Sequence, residues 1–169
     1  MLLRLTILFL FVGIGTAAHA DIVSCPTLST AAQVGVCPSE EELRATYIGY
    51  CSDDARAYDL ADQDTCINYG SYRRQKNVVL WEAVDRFQAY LSCDLPADTV
   101  RQAKPPGIAV KTRGTLTRVV CTYPQDITFV YRTREQCTVE GSGSCSADPA
   151  GCKANCEPRE ALDVRKPAP

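Results

Sequence analysis

The fold prediction depends on the stretch NVVLWEAVDRFQAYLSC, residues 77–93. Its large apolar residues recur at intervals of four, three and four positions; they are Leu80, Val84, Phe87 and Leu91. This spacing places them on one face of a helix, with Glu82 and Arg86 as an i,i+4 pair on the solvent side. The period therefore predicts an amphipathic helix over residues 77–93, with Trp81 beside the stripe and packed in the core.

A second helix is predicted upstream, where residues 39–42 read Ser-Glu-Glu-Glu. In such a capping box, the serine hydroxyl and the third glutamate satisfy each other's exposed backbone donors at the start of a helix. An apolar stripe follows at helical spacing: Leu43, Tyr47, Cys51, Ala55 and Tyr58. Gly49 weakens the middle of this helix by about 1 kcal/mol relative to alanine, so a break into two helices is an alternative.

Beyond Pro96 the sequence changes to the period of strands. Three segments rich in branched and aromatic residues predict an antiparallel meander; they are residues 108–112, 116–123 and 127–134. Turns are expected at Arg113-Gly114 and at residues 124–126, and residues 141–144 are interpreted as a flexible hinge. The predicted fold class is α+β: two or three helices, a short antiparallel sheet and a cysteine-rich C-terminal segment.

The first twenty residues have the layout of a secretory signal peptide. A short basic start, Met1 to Arg4, precedes an apolar run over residues 5–15, and Ala18-His19-Ala20 forms a small-x-small cleavage site. Cleavage is expected before Asp21. The apolar run is shorter than the roughly 20 residues of a spanning helix, and the charge of Asp21 disfavours a lipoprotein anchored at Cys25.

The expected organisation is a signal peptide (1–20), one disulfide-stabilised domain (21–156) and a flexible tail (157–169). Such a chain is expected to be periplasmic or secreted, with no transmembrane segment in its mature part. Removal of the signal peptide takes away Arg4, so the count of Lys and Arg falls from 18 to 17 against 20 Asp and Glu. This acidic excess argues against nucleic-acid binding, which requires a basic surface.

Histidine is absent from the expected mature chain, because the only one, His19, lies in the signal peptide. Mechanisms that need an imidazole are thereby excluded, among them Ser-His-Asp and Cys-His nucleophiles and histidine metal sites. The sequence also contains no Gly-x-Ser-x-Gly elbow and no phosphate-binding loop. These observations favour a binding protein that has no enzymatic activity and no cofactor.

All ten cysteines follow the expected cleavage site and predict up to five disulfides in an oxidising compartment. They are Cys25, Cys37, Cys51, Cys66, Cys93, Cys121, Cys137, Cys145, Cys152 and Cys156. No Cys-x-x-Cys pair is present, so a metal site is not favoured. If Cys152 and Cys156 share one helical turn, they bond two other cysteines, for which Cys137 and Cys145 are the natural candidates. The cysteines up to Cys93 are expected to pin the predicted helices together.

An acidic run supplies the catalytic alternative. Its members are Asp53, Asp54, Asp59, Asp62 and Asp64. Two suitably spaced carboxylates act as acid and base in glycoside hydrolysis, and Asp53 and Asp62 are the candidates for such a pair. The run lacks the glycine and distal glutamate of an EF-hand loop. A solvated helix face and loop is the more ordinary interpretation.

Two groups of residues are candidate binding sites. The first is Tyr69, Tyr72, Arg73 and Arg74, a combination of rigid rings and forked donors that is common in interfaces. It is expected in a loop or at a helix entrance, where basic residues oppose the helix dipole unless an anion is bound.

The second group is Arg132 and Arg134 on the last predicted strand, with Arg118 on the neighbouring strand. Stacked arginines on an open sheet face suit a carboxylate-rich partner. The alternative for both groups is an ordinary solvated surface.

The leading prediction is an exported non-enzymatic binding protein, such as an inhibitor or immunity-like module, with a protein or glycan partner in the periplasm or exterior. The first alternative is a carboxylate-dependent glycan or cell-wall hydrolase that uses Asp53 and Asp62. The second is a structural component of the envelope or surface.

Overall fold

A computed structural model describes residues 20–53, 63–104, 107–141, 143–145 and 151–159. These residues form nine strands and four short helices. The strands are β1 (Asp21–Ser24), β2 (Ala32–Gln33), β3 (Val78–Glu82), β4 (Gln88–Ser92), β5 (Gly107–Arg113), β6 (Leu116–Thr122), β7 (Thr128–Thr133), β8 (Gln136–Val139) and β9 (Lys153–Glu157). The helices are α1 (Glu40–Cys51), α2 (Gln63–Cys66), α3 (Tyr69–Lys76) and α4 (Ala97–Gln102).

The strands form two antiparallel sheets. The larger sheet has six strands in the order β2-β3-β4-β7-β6-β5, and the smaller has three in the order β1-β9-β8. The predicted α+β class, in which helices lead and a short sheet follows, is therefore wrong, because the described chain is mostly β. No helix in the described ranges combines the length and the apolar composition that crossing a membrane requires.

Residues 77–93, predicted as one helix, form the two neighbouring interior strands β3 and β4 of the large sheet. Val79 lies opposite Leu91, and Trp81 lies opposite Ala89. All four side chains are at most 5% exposed. The segment therefore follows the period of two of a strand and not the helical spacing. Its branched and aromatic side chains are stabilised more by cross-strand packing than they would be on a helix.

Two residues with left-handed backbone reverse the chain between β3 and β4. Asp85 and Arg86 have φ angles of 58° and 64°, as in a tight hairpin turn, at a cost of about 1 kcal/mol or more for each non-glycine residue. Arg86 Nη2 donates a hydrogen bond to the Tyr131 hydroxyl at 3.0 Å. Glu82, predicted to pair with Arg86, instead accepts a hydrogen bond from Gln88 Nε2 at 3.0 Å.

The predicted three-strand meander is present as β5, β6 and β7. Gly114, with φ of 60°, lies in the first turn, and Gln125 and Asp126, with φ of 62° and 59°, lie in the second. The meander is half of a larger sheet, because β7 also pairs with β4 through Val130 and Gln88.

The core lies between the two sheets. Phe129 of β7 and Phe87, which immediately precedes β4, are 0% exposed, and the small sheet adds Val23 and Ala154 to the same apolar cluster. Helix α4 contributes Val100, which is also 0% exposed. The face of the six-stranded sheet that covers this core is termed the inner face, and the opposite one the open face.

Helix α1 begins at the predicted capping box. The Glu42 N–H donates to Ser39 Oγ at 3.2 Å, and the Ser39 N–H donates to Glu42 Oε2 at 2.7 Å. The helix continues unbroken through Gly49 to Cys51. The last two residues of its predicted stripe lie outside the described ranges. Helices α1, α2 and α3 are termed the helical arm.

Five disulfides join all ten cysteines. They are Cys25–Cys121, Cys37–Cys93, Cys51–Cys66, Cys137–Cys156 and Cys145–Cys152. The predicted C-terminal pairing is confirmed, but its premise of a helical turn is wrong, since Cys156 lies in strand β9. The Cys25–Cys121 bridge ties the chain next to β1 to strand β6 and so joins the two sheets. Five bridges indicate an oxidising, extracellular type of compartment.

Strand β9 extends to Glu157, and the side chain of Arg159 lies across the adjoining strand ends. Arg159 Nε donates to the Arg134 carbonyl at 2.9 Å, and its Nη2 donates to Thr117 Oγ1 at 3.1 Å. The rest of the predicted tail and nearly all of the predicted signal peptide lie outside the described ranges.

Two glycines permit a close approach between β5 and the segment after β8. The Ile108 N–H donates to the Gly143 carbonyl at 2.9 Å, and Gly107 forms a bridge with Ser144. Gly143 has φ of 73°, and a Cβ at that position would lie 2.8 Å from the Ile108 oxygen. Residues 143–144, interpreted from sequence as part of a flexible hinge, therefore have fixed backbone partners.

Gly143→Ala is expected to lower the free energy of unfolding by about 2 kcal/mol or more, because the added Cβ meets a carbonyl oxygen in a left-handed backbone. Gly49→Ala is the matched control. Nothing lies within 4 Å of its added Cβ, and alanine is favoured over glycine in a helix by about 1 kcal/mol. Urea unfolding followed by circular dichroism measures both variants, and equal midpoints would contradict the close approach.

Candidate functional site

The two groups of predicted binding residues lie at opposite ends of the large sheet. The first group is on helix α3, which leads directly into the start of β3. Arg132 is on β7, two residues beyond the Val130–Gln88 pair toward the β3–β4 turn. The structure therefore does not bring the two groups together into one site.

Tyr72 is part of the packing inside the helical arm. It is 4% exposed, and its ring lies 5.4 Å from the ring of Tyr47 and 6.0 Å from that of Tyr50. Tyr69 is half-buried; its hydroxyl donates to Glu40 Oε1 at 2.9 Å, and the Arg44 guanidinium lies 4.6 Å from its ring centre. The tyrosines thus hold the arm together.

Arg73 is engaged by two carboxylates of this chain. Its Nη1 and Nη2 donate to the two Asp94 oxygens at 2.7 and 2.9 Å, and its Nε donates to Glu40 Oε2 at 3.1 Å. Asp94 follows the end of β4, so this bidentate pair links the arm to the sheet. A forked pair of this kind combines charge with fixed geometry.

The pKa values of these carboxyl groups reflect the same contacts. Hydrogen bonds from Arg73 hold the pKa of Asp94 below its ordinary value. The pKa of Glu40 is also lowered, first by the hydrogen bond from Tyr69 and then by that from Arg73. Both carboxylates are exposed to solvent, so their contribution to stability is screened.

The basic residues of α3 lie at the end of the helix, contrary to the predicted helix entrance. The helix begins after Asn68, whose Oδ1 accepts a hydrogen bond from the Ser71 N–H at 2.9 Å. Arg73, Arg74 and Lys76 occupy the last turn, where positive charge is favourable for the helix dipole. The dipole therefore gives no reason to expect an anion on the arm.

The second predicted group lies on the open face of the large sheet. Arg118 is directly opposite Arg132 on β7 and directly opposite Lys111 on β5. All three side chains are exposed. Within the described ranges none of them takes part in an ion pair. Lys111, Arg118 and Arg132 are termed the basic row.

The surroundings of the basic row add charge and apolar surface. Arg113 lies on the same face of β5, two positions beyond Lys111, and is exposed. Arg134 is exposed and follows the end of β7. Toward the other end of the open face, Tyr90 is 69% exposed and pairs with half-buried Leu80.

Sequence reasoning missed Lys111 and Arg113 as members of this surface. The signal was present in the predicted turn at Arg113-Gly114. In this hairpin Arg113 of β5 lies opposite Leu116 of β6. Two residues further from the turn on each strand, Lys111 lies opposite Arg118. The alternation of exposed and buried residues then assigns both cations to the open face.

The described residues do not bring the two predicted catalytic carboxylates together. Asp53 is exposed just after α1, and Asp62 lies outside the described ranges. Among the described residues, no group of three His, Cys, Asp or Glu side chains is arranged to hold a metal ion.

Comparison of the chain with protein-family models, with curated proteins and with solved structures finds no match.

Asp94→Asn is expected to flatten the loss of stability in acid. A carboxyl whose pKa is lowered by folding contributes stability above its unfolded pKa of about 3.9, and this contribution disappears as pH falls through the folded value. Wild type should therefore lose stability more steeply than the variant below about pH 4. Urea unfolding between neutral pH and pH 2 measures the two slopes.

Asp98→Asn is the matched control for this experiment. Asp98 is 86% exposed and lies 3.9 Å from Arg101, so the same substitution removes a carboxylate that has no bidentate partner and should flatten the acid slope less than Asp94→Asn does. Identical slopes in all three proteins would show that the Arg73–Asp94 pair does not contribute to acid stability.

Proposed function

We propose that this protein is exported to the periplasm or secreted, and that it binds an acidic partner protein through the basic row on its open sheet face. It acts by binding, as an inhibitor or immunity-like module does. The observation that carries the proposal is the direct cross-strand register of Lys111, Arg118 and Arg132.

Like charges placed directly opposite one another destabilise a sheet. Neighbouring strands lie about 4.8 Å apart, so the three side chains of the basic row begin about 10 Å apart from end to end. Neighbouring charges of the row, about 4.8 Å apart at their bases, lie within the Debye length of about 8 Å at physiological salt. An acidic partner relieves this repulsion, which gives the partner an electrostatic advantage that a neutral surface lacks.

The rest of the open face favours a protein as the partner. Tyrosine and arginine are the residue types enriched in the energetic centres of protein interfaces. Tyr90 and Leu80 form an apolar patch on the same face as the arginines. A surface that combines an apolar patch with a cationic row fits a folded acidic protein, which presents both kinds of contact.

Five disulfides support the proposed location. Oxidised cysteines persist in the periplasm and outside the cell, where reducing systems are absent. The proposed mature chain begins at Asp21, which is also the first residue of strand β1.

Arg118→Glu is expected to have opposite effects on binding and on stability. The new carboxylate faces Lys111 and Arg132 across two strand pairs, so the free energy of unfolding should rise by about 0.5–1 kcal/mol. Binding to poly-L-glutamate, used as an anionic polypeptide probe, should weaken tenfold or more at low salt. Urea unfolding and fluorescence anisotropy measure the two quantities.

Lys104→Glu is the control, because it makes the same change of charge before the start of β5. Lys104 is exposed, and this variant should bind the probe nearly as well as wild type. Equal weakening by both substitutions would mean that affinity follows the net charge of the protein and not the basic row.

A further inference from the structure

We infer that the partner supplies an acidic extended segment that pairs with the outer edge of β5 and adds a seventh strand to the large sheet. This inference rests on the proposed function, and it specifies which part of the partner binds and how. Strand addition of this kind derives affinity from main-chain hydrogen bonds and specificity from alternate side chains.

The backbone groups of alternate residues in β5 point away from β6. The Ile108 N–H donates to the Gly143 carbonyl, on the side away from β6. Because the backbone groups of successive residues in a strand point to alternate sides, those of Val110 and Thr112 also point away from β6. Those of Ala109 and Lys111 point toward β6 and belong to the β5–β6 ladder.

The outer backbone groups of β5 are available for pairing. In the described part of the chain, Val110 and Thr112 have no backbone hydrogen bond outside the β5–β6 ladder. Thr112 is exposed, and Val110 is partly exposed. The other edge of this sheet is β2, which has two residues. On β5, Gly107 and Ile108 are already paired with residues 143–144, so residues 109–113 are the part of the edge that can serve as a template.

The side chains of β5 carry positive charge next to this edge. Lys111 and Arg113 lie on β5 itself, and Lys111 is the outermost member of the basic row. An added strand places its side chains about 4.8 Å from those of β5. An acidic residue opposite Lys111 would extend the row into an ion pair, and a second one, two positions along, would face Arg113.

The same charges argue against a second copy of this chain as the added strand. Pairing of two β5 edges would bring Lys111 and Arg113 of one copy close to those of the other. Lysine on an edge strand is a common device that prevents such self-pairing. The carboxylates of an acidic strand would be attracted to Lys111 and Arg113, whereas the cations of a second copy would be repelled by them.

The test uses amide hydrogen exchange of the isotope-labelled protein, measured by NMR. The probe is a synthetic seven-residue peptide that alternates glutamate with valine and has blocked ends. A control peptide keeps the glutamates and replaces the valines by proline, which removes the donors that a strand needs. Strand addition predicts that the valine peptide slows exchange at Val110 and Thr112 roughly tenfold or more.

Neighbouring residues of the same strand serve as the internal control. The amides of Ala109 and Lys111 already belong to the ladder with β6, so their exchange should change little. The proline peptide should leave the amides of Val110 and Thr112 unprotected.

Two outcomes would overturn the inference, and they differ in what they leave standing. If the valine peptide shifts the resonances of the basic row without protecting Val110 and Thr112, then strand addition is wrong and docking on the open face remains. If neither peptide perturbs the basic row while alginate, an acidic glycan, does, then the protein partner of the proposed function is wrong as well.

Discussion

The three-stranded sheet covers the inner face of the six-stranded sheet with half as many strands. The rest of the structure depends on the packing contact between these two sheets. Phe87 and Phe129, both 0% exposed, lie in that contact. The covering strands have four, four and five residues, which is short for strands of globular proteins, and such a sheet needs an apolar face packed against a second layer. The Cys25–Cys121 bridge fastens this layer to β6 of the large sheet, and the Cys137–Cys156 bridge links β8 to β9 inside the layer. Hydrophobic burial and covalent links therefore act together here.

Cations at the two ends of the large sheet are in different electrostatic situations. Arg73 has two carboxylate partners supplied by the chain itself, at 3.1 Å or less, and its role is to fasten the helical arm. The basic row has no such partners among the described residues. Both groups look alike as a sequence of Arg, Lys and Tyr. The distinction that matters for function lies in where the acidic residues are placed, and Asp94 is 21 positions from Arg73 along the chain.

An element can be predicted from the sequence when the residues that determine it are adjacent in the chain. The capping box at Ser39 and the turn at Gly114 were predicted because a few adjacent residues determine them. Residues 77–93 satisfied both periods, since Val79 and Trp81 alternate correctly for a strand while Leu80 and Leu91 fit a helix. That choice is decided by partners distant in sequence, such as Val130 opposite Gln88.

The candidate site shows the same dependence. Arg118 and Arg132 were grouped correctly because strand alternation assigns them to one face. Burial of Tyr72 among Tyr47 and Tyr50 was not foreseen, because it requires the packing of α1 on α3. The role of Arg73 was missed for a similar reason, since Asp94 belongs to a segment that was predicted as the end of a helix and not of a strand.

The bridge between Cys25 and Cys121 has a consequence for how the chain matures. On the proposed export route the chain would leave the membrane N-terminus first, and these two cysteines are 96 positions apart. Cys37, Cys51, Cys66 and Cys93 all emerge in the interval, so oxidation in order of emergence would join Cys25 to Cys37. Replacing such a bond requires attack by a thiolate on an existing disulfide, a process that takes seconds to hours. We therefore expect the yield of native protein in its compartment to be set by disulfide isomerisation, and not by the supply of oxidant.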